Sequence, residues 1–91
     1  MENIHITNAE YLDEYKIDIE FNTGFSQVID LKEEIWGEIF EPLKDKEYFR
    51  NFKLNPFTIY WENGADFSPE FLFEMAHNQE FMVADKKRNQ N

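Results

Sequence analysis

The chain contains no cysteine. A disulfide scaffold, a thiolate zinc site and a cysteine nucleophile are therefore excluded. Glycine and proline number three each, and the glycines stand alone at 24, 37 and 64, so no glycine-rich loop is present to cradle a phosphate. Histidine occurs only at positions 5 and 77, in different expected elements and without ligand spacing. Basic residues are scarce: nine Lys and Arg stand against nineteen Asp and Glu, for a net charge of −10. That balance argues against a surface that grips nucleic acid phosphates or an anionic membrane. No apolar run approaches the roughly 20 residues of a membrane-spanning helix. The opening Met-Glu-Asn-Ile-His-Ile has neither the basic start nor the apolar stretch of a secretory signal. The expectation is a cytoplasmic protein with no direct contact to nucleic acid or membrane.

What the chain does have is aromatic bulk. Its 91 residues include ten Phe, four Tyr and two Trp, enough to fill the core of one small domain. Tyr15, Ile17, Ile19 and Phe21 alternate with Lys16, Asp18 and Glu20, the period of a strand with one wet face. After the turn Asn22-Thr23-Gly24, residues 25–31 return with Phe25, Gln27, Ile29 and Leu31 on one side, which makes a hairpin. Residues 3–7 add a short strand with Ile4 and Ile6 on one face, and residues 8–14 read as a polar turn.

Asp30-Leu31-Lys32-Glu33 has the spacing of a capping box, and Ile35/Ile39 and Trp36/Phe40 follow four apart, so a helix is expected before Pro42. Gly37 costs that helix about 1 kcal/mol relative to Ala. Asp45 looks like the cap of a second short helical turn through Tyr48, Phe49 and Phe52. A second hairpin turns at Asn55-Pro56, with Phe57, Ile59 and Trp61 on one face. Ser68-Pro69-Glu70 opens the last helix, with Phe71, Leu72, Met75 and Ala76 on one stripe and Phe73, His77 and Phe81 on another. The resulting order is β-β-β-α-β-β-α, an α+β domain whose antiparallel sheet of two hairpins plus a short N-terminal strand has its helices on one face. Residues 1–82 are assigned to that domain and residues 83–91 to a polar, disordered tail.

The chemistry-bearing residues do not assemble into a known reaction centre. Asp18, Glu20, Glu33, Glu34, Glu38, Glu70 and Glu74 alternate with apolar positions or sit on outer helix faces, which is the pattern of a solvated surface. Asp13, Glu14, Glu62 and Asp66 fall in loops, but their spacing is not that of a calcium loop. Ser68 is accounted for as a cap and Ser26 lies in a strand, so neither has the base and orienting acid of a nucleophile. No catalytic residue, cofactor or metal is therefore expected. Phe73 and Phe81 exceed what one core face needs, and a helix apolar on two sides packs against something extra: the tail or another chain.

Phe21…Gly24, Val28-Ile29-Asp30-Leu31, Gly37…Phe40, Leu43…Asp45…Phe49 and Ile59-Tyr60-Trp61-Glu62-Asn63-Gly64-Ala65-Asp66…Pro69…Leu72 together resemble the small bacterial domain-of-unknown-function family 2442. The Trp-x-Asn-Gly-x-Asp loop ahead of a Pro-initiated helix is the most specific part. The resemblance implies an α+β fold and no established activity. It also implies a context: some relatives look like the front half of longer helix-turn-helix proteins, and others are encoded beside a second small protein, as in toxin–antitoxin pairs. Glu62 stands where the family usually has Pro, and no DNA-binding segment is expected after the last helix.

The leading expectation is a non-enzymatic interaction module that binds a protein partner, a basic one by charge complementarity, in an antitoxin-like way. A homodimer stays open. The alternative is an acidic nucleic-acid-mimicking inhibitor of the kind mobile elements carry, and an enzyme or metal protein would need a pocket holding Asp13, Glu62 or Asp66. The residues expected to meet a partner are Trp61, Glu62, Asn63, Asp66, Phe73 and Phe81.

Overall fold

The computed structural model describes residues 3–89, with side chains described from residue 3 to residue 79. The chain is α+β. Strands β1 (Ile6–Tyr11), β2 (Lys16–Phe21) and β3 (Ser26–Asp30) form an antiparallel meander, β4 (Lys53–Leu54) and β5 (Ile59–Tyr60) form a separate two-stranded sheet, and the helices are α1 (Lys46–Phe49) and α2 (Pro69–Asn89). Two 3-10 turns, Lys32–Glu34 and Glu38–Lys44, fill the stretch between β3 and α1.

The central strand is the one that the period of two anticipates. Ile17, Ile19 and Phe21 are buried while Glu20 faces water. Ile29 and Leu31 join them from the β3 side, and Ile6 from β1. Both helices reach this row. Tyr15 meets Phe49 of α1 edge to face at 5.2 Å, and Phe21 meets Phe73 of α2 in the same way at 5.0 Å. Phe49 also packs against Trp61, so aromatic rings bridge the meander to the small sheet.

Several expectations need correction. The first strand is not residues 3–7 but Ile6–Tyr11, and the polar turn expected at 8–14 shrinks to the few residues between Tyr11 and Lys16. The cause is a bulge: Ile6 pairs with Phe21, but Asn8 pairs with Glu20. The extra residue switches the inward parity from Ile4 and Ile6 to Ala9 and Tyr11, so no single alternation runs through the strand. The two hairpins do not share one sheet either. β4 and β5 are two residues each, and Pro56 in their turn has no N–H to extend the ladder. A single backbone bond, Ile6 N to Phe57 O at 2.9 Å, ties the turn to β1.

The largest departure is the helix expected after Asp30. The Asp30 carboxylate does accept from the Lys32 amide at 3.0 Å, but it closes only one 3-10 turn. Gly37 has φ +97° and ψ 164°, far from helical values, and the helical path breaks there. A residue with a Cβ pays steeply in that region, whereas glycine does not. Pro42 lies inside the second 3-10 turn rather than ending a helix. The α element between β3 and β4 is instead α1, where Asp45 accepts from the Glu47 amide at 3.0 Å as its cap.

Ser68 caps α2 through a bond from the Phe71 amide at 3.1 Å, with Pro69 as the first helical residue. Among the described residues Leu72 and Ala76 are its most buried positions. Its backbone stays helical to Asn89, past residue 82, where the sequence reading ends the domain; Ala84, Lys86, Lys87 and Arg88 there are good helix formers. Residues 90 and 91 of the expected tail, and the side chain of Phe81, lie outside the described residues.

Candidate functional site

The loop Trp61–Asp66 is a closed turn. Trp61 N donates to Ala65 O at 2.8 Å and Gly64 N to Trp61 O at 2.9 Å. Gly64 holds φ +94°, which the turn requires and a side chain would resist. Trp61 itself is 1% exposed, and its indole N–H donates to Phe49 O at 2.8 Å, so it is a core residue and not a surface for a partner.

Asn63 is exposed but fully engaged. Its side-chain amide donates to Ile39 O at 2.8 Å, its Oδ1 accepts from Ala65 N at 3.1 Å, and its backbone N–H donates to the Tyr48 hydroxyl at 3.1 Å. It therefore staples the loop to α1 and to the second 3-10 turn. Glu62 and Asp66 are left exposed on opposite business: Glu62 lines a cleft with Tyr48, Arg50 and Lys53, whereas Asp66 lines a groove with Trp36. Asp13 is elsewhere again, at the β1–β2 turn beside Lys16 at 3.9 Å. These three loop acids are not brought together: Glu62 and Asp66 line separate concavities, and Asp13 lies by the β1–β2 turn. Among the described residues no group of three or more His, Asp or Glu is placed to hold a metal ion.

Phe73 has a structural partner set. It meets Phe21 and Phe25 edge to face at 5.0 and 6.0 Å, and His77 lies against both Phe25 and Phe73. The second stripe of α2 thus covers the end of the meander as far as residue 77.

Among the described residues the most exposed large apolar one is a residue that the sequence reading placed on a helix face. Ile35 is 4% exposed and belongs to the core, while its neighbour Trp36 is 72% exposed and Ile39 is 50% exposed. Gly37, with φ +97°, breaks the helical path directly after Trp36, and the Asn63 amide donates to the carbonyl of Ile39. Trp36, Ile39, Phe40, Phe67 and Phe71 line a groove of about 500 Å³ whose charged members are Glu34 and Asp66. Phe40 and Phe67 stack at 5.0 Å and 20°, and Phe67 and Phe71 at 5.8 Å and 13°, so three nearly parallel rings lie along the groove. Of the residues expected to meet a partner, only Asp66 lies here. Glu34, Trp36 and Ile39 were missed; the one local signal was a helix-breaking glycine directly after the tryptophan.

Electrostatics elsewhere is modest. Lys46 Nζ sits 2.9 Å from the Glu14 carboxylate. Its hydrogen bond, and then its charge, hold the Glu14 carboxyl below the usual range, and the same contacts raise Lys46. Among the described residues no helix is long and apolar enough to cross a membrane.

Fold and groove together define a small α+β domain that displays an acid-edged aromatic face. The sequence profile of the protein family of unknown function DUF2442 matches residues 6–78. The chain belongs to that family. No curated protein and no solved structure matches it.

Proposed function

We propose that this protein is a non-enzymatic interaction module that docks a basic protein partner in the Trp36 groove, in an antitoxin-like manner. The exposure of Trp36 carries the reading. An indole at 72% exposure beside a half-exposed isoleucine keeps a large apolar area in water, and tryptophan anchors are enriched where partners bind. The net charge of −10 and the acids Glu34 and Asp66 at the groove favour capture of a positively charged partner. The antitoxin-like setting is what the family resemblance read from the sequence implies.

The test compares tagged wild type with Trp36→Ala in the native host at low salt. Trp36 is on the surface, so the variant is expected to keep its fold, with a stability change within about 0.5 kcal/mol. The expected result is one partner at equal stoichiometry with wild type and its loss with Trp36→Ala, reproduced with the two purified proteins. A partner held equally by both would overturn the groove as the docking site and favour acidic mimicry of a nucleic acid. Recovery of no stoichiometric partner would remove the module reading itself.

A further inference from the structure

We propose that the groove recognises an arginine side chain of that partner, stacked on the Trp36 indole with its guanidinium reaching the carboxylates of Glu34 and Asp66. The inference rests on the docking reading above and narrows it to one chemistry. The groove that would receive the side chain is largely aromatic, because Trp36 shares it with Phe40, Phe67 and Phe71, whose rings lie nearly parallel. Among the described residues its charged lining residues are Glu34 and Asp66, with no Lys or Arg beside them.

Two of the described cations already cover other rings. Arg50 lies over Tyr11 at 5.1 Å and Lys46 over Tyr15 at 5.9 Å, whereas among the described residues no cation covers Trp36. The best cation acceptor among aromatic side chains is therefore left open beside two carboxylates.

Other occupants fit less well. A purely apolar segment would press Glu34 and Asp66 toward a dry interface with no counter-charge, which is costly. A second copy of this chain would bring a further −10 and its own two acids to the same face. Lysine satisfies the charge, but its ammonium is a compact, strongly hydrated point, whereas guanidinium is planar, weakly hydrated and stacks on rings. The chemistry thus selects arginine over lysine, not merely positive over negative.

The chain has two tryptophans, and Trp61 is 1% exposed, so quencher-accessible emission belongs to Trp36. Hexaarginine and hexalysine, equal in charge, would be titrated into the full chain at physiological ionic strength. Calorimetry would give affinities, and acrylamide quenching would give Trp36 shielding. The expected result is hexaarginine binding roughly fivefold tighter than hexalysine, in keeping with a cation–π contact at a partly exposed ring. Trp36 shielding should follow hexaarginine occupancy. Trp36→Leu should erase the preference, and Glu34→Gln combined with Asp66→Asn should weaken both peptides.

Equal affinities, or an arginine preference that survives Trp36→Leu, would overturn the proposal. So would concentration-dependent shielding of Trp36 without peptide, since that assigns the face to a second copy. If the peptides fail to discriminate while a partner still needs Trp36, the arginine assignment falls and the docking reading stands. If arginine preference holds while the partner is indifferent to Trp36, the docking reading falls instead.

Discussion

The meander and the segment between β3 and α1 are built from similar apolar material and treat it in opposite ways. Along β2, residues two apart are buried together, so Ile17, Ile19 and Phe21 make one inward row. Along residues 31–44 the inward and outward positions follow no period: Leu31, Ile35 and Leu43 are buried, while Trp36 and Ile39 are in water. The first region is organised by backbone ladders, which force alternation on any sequence that forms them. The second has two short 3-10 turns, and its path is set by Gly37 and by side-chain anchors from elsewhere, chiefly Asn63. Apolar spacing predicts that a face exists, but only a continuous ladder or helix makes that face a single one. Where the backbone breaks, an apolar residue is released to the surface, and here that residue is Trp36.

The comparison breaks most severely at the residue both regions lean on. Trp61 packs on Phe49, which in turn supports Tyr11 and Tyr15 of the meander, and on Phe67, which stacks under the groove. Trp61→Ala should cost about 3–5 kcal/mol, in the range of large aromatic deletions from a core. It would also leave the Phe49 carbonyl without its indole donor. Urea denaturation should show a large drop in midpoint with the slope unchanged; a loss below about 1 kcal/mol, small for a buried aromatic deletion, would mean the two regions do not share this support.

Gly37 sharpens the contrast by acting on one region alone. Space for a methyl group is open there, so the penalty of Gly37→Ala comes from the backbone at φ +97°. The expected cost is about 1–3 kcal/mol, that of placing a Cβ in a positive-φ, extended-ψ region used almost only by glycine. The diagnostic readout is Trp36: its emission and quenching should change as the chain around position 37 shifts, while amide exchange in β2 stays as in wild type. Unchanged Trp36 accessibility would show that the glycine does not control the display.

Asn63→Ala should be milder, about 1 kcal/mol, because it removes partly exposed hydrogen bonds to Ile39 O and from Ala65 N. Exchange should quicken at residues 38–44 before it quickens anywhere in the meander. Equal acceleration in both regions would contradict the picture of a locally anchored segment.

What could be read in advance follows the same division. The β2–β3 hairpin, the Asp45 and Ser68 caps, the Asn55-Pro56 turn and the last helix are all encoded by neighbours in sequence, and each was legible. β1 was displaced because its bulge hides the alternation. Phe57 was expected beside Ile59 and Trp61, yet it is 67% exposed: the Asn55 carboxamide takes both the Phe57 and Thr58 amides at 2.7 Å and keeps Phe57 in the turn. In the Trp61–Asp66 loop, Trp61 is buried and Asn63 anchors the segment before α1, roles that the local motif does not spell out. Its link to Ile39 spans 24 positions and leaves no local signature, so the groove that Asp66 helps to edge could not be seen from the motif.

The smallest effect is expected where the meander meets α1 through charge alone. Glu14, at φ 49° in the β1–β2 turn, faces Lys46 at the start of α1 with both groups open to solvent. Replacing Glu14 by Gln keeps the shape and removes the charge, so any loss reports the ion pair. Because the folded Glu14 carboxyl titrates below its unfolded value, its contribution is present above that unfolded value and fades as pH falls through the lowered one. Because folded Lys46 titrates above its unfolded value, its share is complete below that value and fades as pH rises through the raised one. The difference between wild type and Glu14→Gln should therefore be greatest near neutral pH, shrink toward both acid and alkali, and weaken with added salt, as exposed pairs do. A difference of the Gly37→Ala size, or one indifferent to pH and salt, would mean that Glu14 holds the turn by geometry instead, and the meander would then owe more to its turn residues than its ladder suggests.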